Sequence, residues 1–361
     1  MENTVRTERI VGLDLLRIVS MLLVVVLHLL GRGGVLAAVK PLTVHSALAW
    51  AAESAAYCAV DCYALLTGYL LCRSRCRSGA LIGLWMEVFC YSAGITALFA
   101  VFRGPVSLSR FLQSCLPVCF TQYWYFTAYF AVYCLAPFFN RLLRSLSPAA
   151  FRRLTGTLLI LFSLLPTLLG ADPFVTGKGY SFLWLAVLYF VGACLRTCPL
   201  RPRRSRVWLG GYALCAAALL VLHLAFSALS AGGPPRGSWL LTYPSPLVLG
   251  AAVCLFEACR NLEIRSRAVR NLVGYLAPVS FGVYLLHAHP FLFNRVLNEA
   301  LVPLTALPVW EFALAIPGLA LGIFAVCSLA DRLRLRIFRL LRLPDLAAAL
   351  GARLDAALPQ A

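Results

Sequence analysis

The sequence predicts an all-α, polytopic membrane protein of about ten transmembrane helices, with both termini on the cytoplasmic side. Three observations carry this reading. Hydrophobic residues make up 61% of the 361 residues and charged residues only 13%, a composition outside that of water-soluble domains. Apolar stretches of about 18 to 25 residues recur from Ile10 to Leu329, each long enough to cross a hydrocarbon layer about 30 Å thick. The polar breaks between them alternate between arginine-rich and arginine-poor.

In order, the predicted spans cover residues 10 to 31, 45 to 71, 80 to 101, 121 to 139, 154 to 170, 181 to 195, 207 to 229, 240 to 258, 271 to 289 and 309 to 330. Distributed over alternate sides, 24 of the 32 Lys and Arg fall on the N-terminal side and seven on the other, with Arg17 inside the first span. The richer side is cytoplasmic by the positive-inside bias. On the richer side lie Arg6, Arg9, the 73/75/77 group and the arginines after Leu329; on the poorer side lie Arg32, Lys40, Arg103, Arg110, Lys178, Arg236 and Arg295. The net charge of +18 is therefore spread over loops facing a lipid bilayer, which excludes a nucleic-acid patch.

The first span carries Asp14 and Arg17, is longer than a signal-peptide core and lacks an A-x-A cleavage site, so it is expected to remain in the mature protein. Residues 1 to 342 form one membrane domain. Residues 343 to 361 form a cytoplasmic tail, read as an interfacial helix or a frayed end. The fourteen cysteines include four i, i+4 pairs, but no histidine or carboxylate accompanies them at ligand spacing. No metal site or disulfide framework is assigned.

An ionisable side chain inside a span costs about 2.5 to 3.5 kcal/mol, so each one is a candidate for function. The first span holds Asp14, Arg17 and His28. Arg17 and His28 are separated by three helical turns plus about 20°, which puts both on one face with roughly 16 Å between them along the axis. Asp14, at i−3 from Arg17, shares that face. An arginine toward the cytoplasm suits an anionic, phosphorylated donor. A histidine toward the other side suits removal of a proton from a hydroxyl. The bland alternative is a snorkelling Arg17 neutralised by Asp14, with His28 at the outer interface.

The second span carries Glu53, Asp61 and Thr67-Gly68-Tyr69 and leads to Arg73; the ninth carries Ser280, Tyr284, His287 and His289. By depth, Glu53, His287 and His289 join His28 in the outer half, with the last two also readable as interfacial histidines at a helix end. Trp124, Tyr125, Tyr129 and Tyr133 read as an aromatic belt or as sugar-stacking residues. No pair of Gly- or Pro-broken helices is visible in matching halves of the chain.

These residues resemble the integral-membrane acyltransferases of acyltransferase family 3. Gly12-Leu-Asp14-Leu-Leu-Arg17 through His28 is similar to the family's opening, in which a basic residue is followed by ten residues and a histidine. Thr67-Gly68-Tyr69 resembles its Ser-Gly-aromatic segment, Trp124 to Asn140 its middle helix, and Ser280-Phe-Gly-Val-Tyr284-Leu-Leu-His287 its late helix. The resemblance implies transfer of an acyl group, usually acetyl, from cytoplasmic acyl-CoA (acetyl-CoA), a donor substrate and not a resident cofactor. The implied acceptor is a hydroxyl of a cell-envelope glycan or lipid-linked sugar, and the implied location is the cell membrane. His28 would then be catalytic and Arg17 would help to hold the donor, with Asp14, Glu53, Tyr284 and His287 in support. The family's Arg-x-x-Arg is replaced by Arg73-x-Arg75-x-Arg77, from which Arg73 and Arg75 are carried over as CoA-binding candidates. A pantetheine arm spans such a gap. Many relatives carry a fused extracytoplasmic domain; none is read in these residues, so the chain is expected to act alone or to pass its acyl group to a separate extracytoplasmic transferase. Within this reading, general-base and covalent acyl-histidine mechanisms both stay open. A secondary transporter and a non-catalytic subunit of a polysaccharide assembly complex are the competing functions.

Overall fold

The computed structural model describes residues 10–201, 203–230 and 240–357; Arg6, Arg9 and Arg236 lie outside them. Among the described residues all regular structure is helical: α1 (Val11–Gly31), α2 (Val35–Ala38), α3 (Val44–Ala56), α4 (Ala59–Leu71), α5 (Ser78–Phe102), α6 (Leu108–Cys115), α7 (Trp124–Ser145), α8 (Pro148–Leu159), α9 (Leu165–Leu169), α10 (Phe182–Thr197), α11 (Ser205–Leu229), α12 (Pro246–Arg260), α13 (Arg267–Leu276), α14 (Ser280–His287), α15 (Val309–Leu340) and α16 (Leu343–Ala357).

Helices occupy all ten predicted segments, but eight are long and apolar enough to cross a membrane on their own, counting α3 with α4, α8 with α9 and α13 with α14 as single spans. The other two are shorter. α10 has 16 residues and α12 has 15, or about 24 and 22 Å of rise. Both are packed inside the bundle, α10 against α4, α7 and α8, and α12 against α11, α4 and α1.

Three predicted spans depart from continuous α-helix: the fifth carries a π-helical turn at Ile160–Leu164 between α8 and α9, and two others break. The second breaks at Tyr57 and Cys58 without a glycine or proline, and the ninth passes through a 3₁₀ turn at Ala277–Val279 that contains Pro278. Pro278 accounts for the second break, because its ring removes a donor from the helical ladder. Such irregular backbone is tolerated at membrane depth where protein surrounds it, and Ala56, Cys58, Ala59, Ala277 and Val279 are buried.

α1 runs through the middle of the molecule, touching α3, α4, α12, α13, α14 and α15. Small residues allow the close approaches. A Cβ on Gly12 would collide with the Cys259 carbonyl, one on Gly68 with the Tyr189 carbonyl, and one on Gly192 with the Leu65 carbonyl. Gly68 and Gly192 are thus a reciprocal pair that brings the backbones of α4 and α10 together, as small residues do in membrane helix interfaces. Gly68→Val is expected to destabilise the chain by about 1–3 kcal/mol through overpacking, read as a lower midpoint in denaturant titration of detergent-solubilised protein. An unchanged midpoint would mean that the two helices have slack at this contact.

α15 extends ten residues beyond the predicted end of the last span, so Arg334, assigned to a cytoplasmic loop by the sequence reading, is a buried helical residue. Its charge is matched. The guanidinium donates to both Asp331 carboxylate oxygens, at 2.8 and 2.9 Å, and to Glu87 Oε1 at 2.9 Å, while the Tyr91 hydroxyl donates to Asp331 at 2.6 Å. The tail forms α16, which packs on α5 where Gly351 meets Gly79 and the Ser78 hydroxyl donates to Asp355.

Candidate active site

His28 stands in the last turn of α1 and His287 ends α14; the break at Ala277–Val279 sets the direction in which α14 approaches α1. The two rings meet, with His28 Nδ1 2.9 Å from His287 Nε2. His287 Nδ1 lies 2.6 Å from the Val283 carbonyl oxygen. A carbonyl can only accept, so His287 Nδ1 carries its proton and, in the neutral ring, its Nε2 must accept. His28 Nδ1 is therefore the donor between the rings. What remains is His28 Nε2, a lone pair with no hydrogen-bond partner among the described residues. Phe293 packs edge-on against the His28 ring, centroids 4.9 Å apart, and further restricts its rotation.

α14 is held from three sides. Gly282 lies against the Asp331 carboxylate, leaving no room for a side chain. The Ser280 hydroxyl donates to the Ala277 carbonyl and accepts from the Tyr63 hydroxyl at 3.0 Å. The Tyr123 hydroxyl donates to the Leu285 carbonyl at 2.9 Å. Tyr284, one turn before His287, is buried with its ring near those of Tyr123 and Tyr125, at 5.7 and 6.4 Å between centroids.

Toward the start of α1, Arg17 Nη1 donates to Asp14 Oδ1 at 2.9 Å; the Asp14 side chain is 8% exposed and that of Arg17 36%. Asp14 thus orients one edge of the guanidinium and leaves the other accessible. Tyr63 and Tyr129 lie within range of the Arg17 charge, and Tyr129 also approaches Cys76. Cys76 belongs to the turn between α4 and α5 that carries Arg73 and Arg75, both exposed. Tyr133 fastens that turn, its hydroxyl donating to the Arg77 carbonyl at 3.0 Å and accepting from the Arg77 N–H at 3.2 Å.

The structure therefore joins His28 to His287 and Arg17 to Asp14, and puts Tyr284 beside the histidine pair. It does not bring Glu53 or His289 into that pair. Glu53 is buried on α3 near Tyr57 and Tyr180, and its Oε2 has no hydrogen-bond partner among the described residues. His289, read from sequence as a possible outer-half or interfacial partner, is 1% exposed; its Nε2 donates to the Ser92 carbonyl at 3.2 Å and its Nδ1 accepts from the Phe291 N–H. Ser280, one of the polar residues of the ninth span, supports the site together with Tyr63 and Phe293, which no sequence pattern marks.

A family model described as an acyltransferase domain matches residues 10–332, nearly the whole chain. The chain belongs to acyltransferase family 3. No curated protein and no solved structure gives a match. This acyltransferase is a multi-pass membrane protein by its eight long apolar helices. The histidine pair and the Arg17–Asp14 pair both fall inside the region matched to the acyltransferase domain, whereas Arg334 and α16 lie just beyond it.

Proposed function

We infer that this acyltransferase moves an acyl group, acetyl foremost, from cytoplasmic acyl-CoA to a hydroxyl of an envelope glycan or lipid-linked sugar. One observation carries the reading: the tautomer imposed by Val283 and His287 leaves His28 Nε2 as an unengaged base on the same face of α1 as Arg17.

In the mechanism, Arg17 and the Arg73–Arg75 turn attract the phosphates of the donor, and the acyl thioester reaches along α1 toward His28. His28 Nε2 takes the proton of the acceptor hydroxyl as its oxygen attacks the thioester carbonyl carbon. The carbon–sulfur bond then breaks, and the imidazolium returns the proton to the departing thiolate. His287 stabilises the imidazolium by accepting from Nδ1, the part an orienting partner plays in other base-assisted acyl transfers.

Transfer of radiolabelled acetyl from acetyl-CoA to envelope material in inverted membrane vesicles tests the reading. Label is expected with the natural chain, none above background with His28→Ala, and a raised KM for acetyl-CoA with Arg17→Ala. Equal labelling by all three would overturn the assignment, and substrate flux independent of acyl-CoA would favour a transporter.

His287→Ala is expected to lower transfer by about tenfold, the worth of one hydrogen bond of ~1.4 kcal/mol in the transition state. His287→Gln, whose amide oxygen can accept from Nδ1, is expected to recover part of it. If Ala and Gln behave alike, the histidine acts through packing alone.

A further inference from the structure

The segment that follows α14 does two things at once. Phe293 packs on His28, while its neighbours Phe291, Asn294 and Arg295 line a cavity of about 110 Å³. Arg110, Ser114 and Gln122 close that cavity.

Its charge is unusual for its place. Arg110 and Arg295 both lie over the Phe291 ring, at 5.8 and 4.9 Å from its centroid, and neither has a carboxylate partner among the described residues. A third arginine stands next to them. Arg32 donates to the Asn294 Oδ1 at 2.6 Å and to the Phe293 carbonyl at 3.3 Å, so it fixes the orientation of an amide that lines the cavity. These are three of the seven basic residues that the sequence tally places on the His28 side, the side the positive-inside bias keeps poor in arginine. Retention in the cytoplasm therefore does not explain them. Two like charges on one ring repel, and an anion between them relieves that repulsion while accepting the charge-assisted bonds that both forks offer. The Gln122 amide adds a neutral donor that suits the oxygens of a phosphate rather than an apolar chain, while the Ser114 hydroxyl is spent on the Phe111 carbonyl at 2.6 Å.

The geometry points to a phosphate-binding subsite for the acceptor, built by Arg110 and Arg295 with Asn294 as an oriented neutral contact. It rests on the reading of the His28 end as the acceptor end. The acceptor class that follows is a phosphate-bearing one, a sugar carried on a lipid phosphate or diphosphate, or a glycan with phosphate in its repeat. Phe293, which packs on His28, is the chain neighbour of Asn294 and is held with it by Arg32, so seating the phosphate also orders the wall against which the base is held.

Binding of ³²P-labelled pyrophosphate to the full chain, in nanodiscs of phosphatidylcholine and with the donor side filled by unlabelled CoA, tests the subsite directly. Saturable binding is expected, weakened about tenfold or more in Arg110→Gln/Arg295→Gln, the equivalent of at least one lost charge-assisted bond. Unchanged CoA binding by that variant certifies its fold. Binding that does not saturate, or that is equal in the variant, overturns the inference. Nanodiscs containing phosphatidylglycerol separate the sources of phosphate: if this lipid abolishes the pyrophosphate signal, the site holds a phospholipid headgroup and the acceptor assignment fails. The readout is independent of turnover. A His28→Ala chain that binds pyrophosphate normally keeps the subsite even if no acyl transfer is found with the natural protein.

Discussion

His28→Ala is expected to reduce acyl transfer by about 10²- to 10⁴-fold, the range supplied by a positioned general base, while the chain still folds and binds CoA. The side chain is half-buried, and its ring contacts Phe293 and His287 rather than filling the centre of the core. Removing it leaves Arg17 and Asp14, roughly 16 and 21 Å away along α1, with their own ion pair intact. The measurement that separates the catalytic role from a structural one is the split between kcat and the KM for acetyl-CoA. A base acting only on the acceptor hydroxyl lowers kcat and leaves the donor KM near its natural value. A fall in both, accompanied by loss of CoA binding, would mean that His28 holds the bundle rather than performs the reaction.

The pairing of Arg17 with His28 is legible in the amino-acid sequence, because both sit on one helix and 3.6-residue periodicity alone decides that they share a face. The same holds for Asp14, whose bond to Arg17 is the i, i+3 contact of a helical surface. His287 is legible as a candidate by depth and by resemblance, but its role is not. It lies 259 residues from His28, and what makes it an acceptor is the 2.6 Å bond from its other nitrogen to Val283, a consequence of where α14 ends. Thr67-Gly68-Tyr69 shows the opposite case. Its glycine stands out as part of a motif, and the structure gives it a packing task against Tyr189 that requires knowledge of which helix crosses which. The segments of α10 and α12 are legible as apolar and counted among the ten, but their helices are only 16 and 15 residues long and are enclosed by other helices, which hydropathy along the chain does not reveal. The break at Tyr57 and Cys58 carries no glycine or proline to announce it.

Arg334 shows how far position can outweigh composition, and its removal is expected to have the largest effect on stability of any single change considered. By sequence it is one more loop arginine beyond the last span. In the structure its side chain is 9% exposed and shares two carboxylates, Asp331 on its own helix and Glu87 on α5, with Asp331 also pressed against Gly282 of α14. One cation thus ties α15 to α5 and sits behind the helix that carries His287. Arg334→Leu leaves two carboxylates facing each other without a cation, and breaking a buried pair in this way costs about 3–5 kcal/mol. Denaturant titration of the detergent-solubilised chain is expected to show that loss. Arg265→Leu is the matched control. Its bridge to Glu263 is 3.0 Å long, close to the 2.9 Å from Arg334 to Glu87, but the two side chains are 88% and 79% exposed. Water screens the exposed pair, so its removal is expected to leave the midpoint unchanged. Equal small shifts for the two variants would mean that Asp331 and Glu87 take up protons when the cation is lost, and that the buried cluster holds the helices by shape and not by charge.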